Sequence, residues 1–103
     1  MMLLTKEILA RLPKLYATDS DGMEATVQVK FFTPDGSHTW YGIEYDPEEG
    51  RFFGLVTTGS HPPEFGYFLL SELKSARGLL GLPIERDRHF ETVPVKKILE
   101  TSS

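Results

Sequence analysis

Thr26-Val27-Gln28-Val29-Lys30-Phe31-Phe32-Thr33-Pro34-Asp35-Gly36-Ser37-His38-Thr39-Trp40-Tyr41-Gly42-Ile43-Glu44-Tyr45 is the stretch that decides the fold. Val27, Val29 and Phe31 alternate with Gln28 and Lys30, the period of two expected of a strand with one buried face. Pro34-Asp35-Gly36-Ser37 is turn chemistry, because proline presets φ, aspartate tolerates the next position and glycine accepts positive φ. His38 to Tyr45 is aromatic and β-branched and reads as a second strand. Asp46-Pro47-Glu48-Glu49-Gly50 then returns the chain into a third, Arg51 to Thr57. Such connections are too short for parallel crossovers, so an antiparallel meander is expected.

Towards the N-terminus, Thr5 is placed to cap a short helix over Lys6 to Leu12, with Ile8, Leu9 and Leu12 on one face and Pro13 as its stop. Tyr16 to Ala25 is polar and aperiodic, which predicts a surface loop. Beyond the third strand, Gly59, Pro62 and Pro63 make Thr58 to Glu64 a rigid loop, and Gly66 to Leu70 reads as a fourth strand. Ser71 is then read as the N-cap of a short helix that turns Leu73 and Ala76 inward and stops at a left-handed Gly78. The run Leu79-Leu80-Gly81-Leu82-Pro83 is expected to cross the interior as a buried, irregular segment. Ile84 to Val93 is read as extended with Phe90 inward, and Pro94 opens a last helix with Val95, Ile98 and Leu99 on its apolar face. The sum is an α+β fold, a curved antiparallel sheet of about four to five strands carrying two or three short helices.

The chain has 103 residues and 40% hydrophobic side chains, which suits a single domain over residues 1–103 with no separate linker. The absence of cysteine removes disulfides, thiolate metal sites and thiol nucleophiles together. No apolar run is long enough for a signal peptide or a membrane span, so a cytoplasmic protein without membrane contact is expected. A net charge of −4 and a pI near 5.3 argue against direct nucleic-acid binding, which needs clustered Lys and Arg. Glycines fit neither the P-loop nor the dinucleotide pattern, and Gly-x-Ser-x-Gly is missing, so no cofactor is expected.

Three constellations remain. On a continuous strand, Glu85, Asp87, His89 and Glu91 project from one face with Arg86, Arg88 and Phe90 on the other. Two carboxylates beside an imidazole suit a divalent cation, yet the spacing matches no metal signature; acids paired with Arg86 and Arg88 explain the pattern as well, and no metal is assigned. His38, His61 and His89 could share acid and base roles in a nuclease, but lie in three separate segments. The third feature is aromatic. Phe31-Phe32, Trp40-Tyr41 and Phe52-Phe53 must each send one ring to either side of a strand, so both faces of the sheet carry large rings, and any that helices leave uncovered are interface chemistry.

Taken in order, Leu4-Thr5-Lys6-Glu7-Ile8 with Leu12-Pro13, Val29-Lys30-Phe31-Phe32, Thr39-Trp40-Tyr41, Phe52-Phe53-Gly54-Leu55-Val56, Glu64-Phe65-Gly66-Tyr67, and Gly81-Leu82-Pro83-Ile84-Glu85-Arg86-Asp87 with His89-Phe90 resemble the bacterial family of unknown function numbered 2958. The resemblance implies an accessory protein of plasmids, phages or conjugative elements, a class that often binds and blocks host defence machinery. It implies no catalytic residue. The leading expectation is therefore a non-enzymatic module that binds a protein partner, with Trp40, Tyr41, Glu64, Tyr67 and Arg86 as its binding residues and its oligomeric state open. The alternative is a small metal- or histidine-dependent hydrolase, nuclease-like, using Glu85, Asp87 and His89. Arg86 and Asp87 also have a plain structural use, since an arginine bound to an acid can pin an irregular segment to a sheet.

Overall fold

The computed structural model describes residues 2–101. Its first helix, α1 (Lys6–Arg11), begins where the Thr5 hydroxyl accepts the Ile8 amide at 3.2 Å and ends at an extended Leu12, as required before Pro13. The following segment is not simply a loop: a kinked 3₁₀ helix spans Asp19–Glu24. Its turns close through Asp21 N–H to Thr18 O at 2.9 Å and Ala25 N–H to Gly22 O at 3.2 Å, short-range bonds that need no hydrophobic period.

Strands β1 (Thr26–Val27), β2 (Val29–Phe32), β3 (Thr39–Asp46), β4 (Arg51–Thr57) and β5 (Glu64–Leu69) follow, then α2 (Leu70–Ser75), β6 (Glu85–Arg86), β7 (Val93–Pro94) and α3 (Val95–Thr101). The fold is α+β. Five strands form one open antiparallel sheet in the order β5-β4-β3-β2-β6, so a four-strand meander gains β6 on the far side of β2, while β1 pairs with β7 in a separate two-residue ladder.

Alternation along β2, β3 and β4 builds a core on each face. On one, Val29, Phe31, Tyr45, Phe52 and Phe68 pack beneath Ile8 of α1 and Leu73 of α2. Phe52 is its hub, with ring centroids 4.5 Å from Tyr45, 4.9 Å from Phe68 and 5.6 Å from Phe31. Burying a ring of this kind contributes about 1.5–3 kcal/mol. On the other face, Val27, Ile43 and Leu55 pack with Val95 and Ile98 of α3.

A bulge in β3 sets the site chemistry. The register slips between Gly42 and Glu44, so Ile43 and Glu44 together oppose Phe53 and both turn to the second face. On β4 beside it, a Cβ on Gly54 would stand 1.7 Å from the Tyr41 carbonyl oxygen.

Five expectations along the second half are corrected. Ser71 does not cap α2: Leu69 does by position, and Glu72 Oε1 accepts the Leu69 amide at 2.8 Å. Gly78 has no positive φ, and the helix ends earlier, at an extended Ala76. Leu79 to Pro83 is not buried, with Leu79 93%, Leu80 81% and Leu82 44% exposed. Ile84 to Val93 is not one strand, because the ladder stops at Arg86 and resumes only at Val93. Pro94 closes β7, and α3 opens one residue later. Among the described residues no helix is long and apolar enough to cross a membrane.

Candidate functional site

The exposed leucines sit at the tip of a small hairpin. Gly78 N–H bonds Leu82 O and Gly81 N–H bonds Gly78 O, each at 3.0 Å, while Arg77 and Pro83 form an antiparallel bridge below. With Gly81 at φ 83° this is a three-residue hairpin loop closed by a left-handed glycine. The geometry leaves Leu79 and Leu80 at the apex with nowhere to bury.

The hairpin is held from outside. Asp35, in the β2–β3 turn, accepts the Leu80 amide at 2.7 Å and the Leu82 amide at 3.2 Å through Oδ2. Its Oδ1 is buried without a hydrogen bond and lies against Gly78, where a Cβ would stand 1.5 Å away. A charged acceptor on two amides is among the stronger hydrogen-bond arrangements. The apolar apex is therefore presented on a fixed base.

A second buried acid organises the other face. Glu44, 1% exposed, accepts the amides of Tyr16 and Thr18, each at 2.8 Å, and also the Thr18 hydroxyl. These bonds hold Tyr16 at φ 72°, a left-handed conformation costly for an aromatic residue. The neighbouring Tyr16 side chain first, then partial burial and the charges of Asp19 and Glu44, raise the Tyr67 phenol above its ordinary value.

Tyr67 belongs to the aromatic surface expected from the sequence, which the structure confines to one corner of the sheet. Phe53 stacks on Phe65 at 5.7 Å and tilts against Tyr67 at 5.2 Å, and Phe65 and Tyr67 are about half exposed. Trp40 is half-buried on the helix-covered face, packed against the core and stacked on His38 at 5.7 Å. Tyr41 is half-buried on the opposite face, 6.2 Å from the Phe90 ring; burial first and Asp87 second raise its phenol. Glu64 is exposed on β5.

The acidic constellation does not form the one-faced strand expected of it. Glu85 and Arg86 lie on β6 opposite Phe32 and Phe31. Asp87 turns the chain away: its amide bonds Lys30 O at 2.9 Å, its Oδ1 accepts the His89 amide at 2.9 Å, and its carbonyl accepts the Phe90 amide at 3.3 Å. Lys30 supplies a cation to it, with Nζ 3.6 Å from Oδ2. Arg86 does pin a segment, through its guanidinium on the Met2 carbonyl. Among the described residues no three His, Asp or Glu side chains gather to hold a metal ion.

Sequence reasoning missed Leu79, Leu80, Asp35 and Glu44. The signal for the first two was present in the Gly78-Leu79-Leu80-Gly81 spacing, a hairpin tip with glycine at its left-handed position. No such signal exists for Glu44, whose partners lie 26 and 28 residues away. No curated protein and no solved structure matches the chain. The model of the family described as "Protein of unknown function (DUF2958)" matches residues 3–100, and the chain belongs to that family.

Proposed function

We propose that this chain is a small non-enzymatic module that binds a protein partner, with the Leu79–Leu80 apex as its anchor. The observation that carries the reading is an apolar pair almost fully exposed on a hairpin tied down by Asp35. Two exposed leucines cost solubility, and a clamp at their base lowers the ordering cost when they enter an apolar pocket. We propose further contacts on both faces of the sheet, at Trp40, Tyr41, Glu64, Tyr67 and Arg86. The motif resemblance adds the biological setting that we infer: a mobile-element accessory protein working in the cytoplasm, with host defence machinery as the partner class.

The hydrolase reading, with Glu85, Asp87 and His89 as catalytic residues, draws less support. Asp87 is committed to Lys30 and to its own turn, and His89 is exposed on that turn. The discriminating experiment is affinity capture from the native host with the wild type and a Leu79→Ala/Leu80→Ala double variant. A protein retained by the wild type and lost by the folded variant is the expected result. Equal retention by both removes the leucine apex from the account, and metal-dependent nuclease activity abolished by His89→Ala would replace it with the hydrolase.

A further inference from the structure

β5 is an end strand with one neighbour, β4, and its outer edge carries a short, symmetric set of backbone groups. The Leu70 amide points inward, to Gly50 O at 2.8 Å, and the Leu69 amide points outward, to Glu72. Strand alternation then turns the N–H and C=O of Phe65 and Tyr67 outward. Among the described residues no hydrogen bond reaches these four groups. The set is bounded at both ends, since Pro63 has no N–H to offer and the Leu69 amide is already taken by Glu72.

Phe65 and Tyr67 stand one residue either side of Gly66, so the free edge is complementary to itself. We propose that β5 pairs antiparallel with β5 of a second copy of this chain, Gly66 opposite Gly66 and each Phe65 opposite the other copy's Tyr67. Phe65 and Tyr67 of each copy then exchange both main-chain hydrogen bonds with their opposites, the pattern of a hydrogen-bonded antiparallel pair. The glycines form the closer, non-hydrogen-bonded pair between them, and a Cβ at Gly66 would meet nothing within 4 Å in the single chain.

Side chains agree with that register. Phe53, Phe65 and Tyr67 lie on one face, so two copies join their rings into one continuous six-ring strip across the axis. Charge on the paired segment itself does not oppose this register. From Phe65 to Leu69 the strand carries none, and the two Glu64 carboxylates fall about 14 Å apart along the strands, beyond the screening length at ordinary salt. Half-exposed rings from two copies supply on the order of 400 Å² of apolar surface, below that of standard stable complexes, so the dimer is concentration-dependent.

Sedimentation equilibrium up to about millimolar concentration, together with a register-specific cross-link, tests this. The wild type is expected to approach twice its 11.7 kDa mass. Tyr67→Pro removes an outward N–H together with the Tyr67 ring of the strip, and Phe65→Lys puts a charge on the strip; both are expected to remain monomeric. The chain has no cysteine of its own, so Gly66→Cys reports the axis directly and is expected to oxidise to a covalent dimer at least tenfold faster than Ser75→Cys, an exposed control. A wild type that stays monomeric throughout overturns the proposal. So does a dimer that both edge variants preserve, or a Gly66→Cys protein that cross-links no faster than the control. If Tyr67→Pro does not fold, Phe65→Lys and the cross-link decide alone. Partner capture by the leucine apex is a separate readout, and its loss would leave this result unchanged.

Discussion

Asp35 and Leu80, 45 residues apart in sequence, are joined by a 2.7 Å hydrogen bond from the Leu80 amide to the Asp35 carboxylate. Through it the turn between β2 and β3 fixes the exposed Leu79–Leu80 apex. Asp35→Ala removes the acceptor for both Leu80 and Leu82 and is expected to cost about 1–3 kcal/mol. Hydrogen exchange at those two amides, expected to quicken on the order of tenfold, separates local release from global unfolding.

Glu44→Ala is expected to be more damaging. It leaves the Tyr16 and Thr18 amides and the Thr18 hydroxyl without their acceptor and frees Tyr16 from its left-handed conformation. The expected loss is about 2–5 kcal/mol by denaturant unfolding, with Glu44→Gln intermediate because its amide oxygen still accepts.

Three glycines lie in register across β3, β4 and β5, yet they differ in what surrounds them. Gly54→Ala drives a methyl group into the Tyr41 carbonyl and is expected to cost about 3 kcal/mol or more, whereas Gly66→Ala meets open space and is expected to stay within about 0.5 kcal/mol of wild type. Urea midpoints of the two variants check the contrast.

How much of this was legible follows the range of the interactions. The four-strand meander was, because a period of two and the turns at Pro34–Ser37 and Asp46–Gly50 are local signals. The Thr5 cap was legible for the same reason. Glu85 to Glu91 misled because alternating charge imitates a strand, while the Asp87 carboxylate bonding the amide two residues on makes a turn that the pattern does not encode. Leu79 to Pro83 misleads because apolar composition suggests burial, whereas hairpin geometry overrides it. The β3 bulge, the β1–β7 ladder and the Glu44 bonds all depend on residues distant in sequence. Strand alternation puts the adjacent aromatic rings on opposite faces, but which of them stay exposed is not encoded in it.

Alkaline titration offers an independent check on the aromatic environment. Tyr41, Tyr45 and Tyr67 have phenols raised above the ordinary tyrosine value: Tyr41 and Tyr45 by burial first and then by Asp87 and Asp46, and Tyr67 by the neighbouring Tyr16 side chain first. The folded state therefore holds these protons more tightly than the unfolded chain. Their contribution to stability is complete below pH 10 and is lost as pH rises through the folded values. Absorbance near 295 nm should show ionisation later than in free tyrosine, and Tyr41→Phe should remove one late component.

Entry of the Leu79–Leu80 apex into a partner protein can be read directly in living host cells by a photo-cross-linking amino acid placed at Leu79, with Ser20 as an exposed control position. One discrete protein adduct is expected from position 79, absent from position 20 and weakened when Asp35→Ala loosens the hairpin. An adduct pattern at 79 no different from that at 20 would contradict that entry.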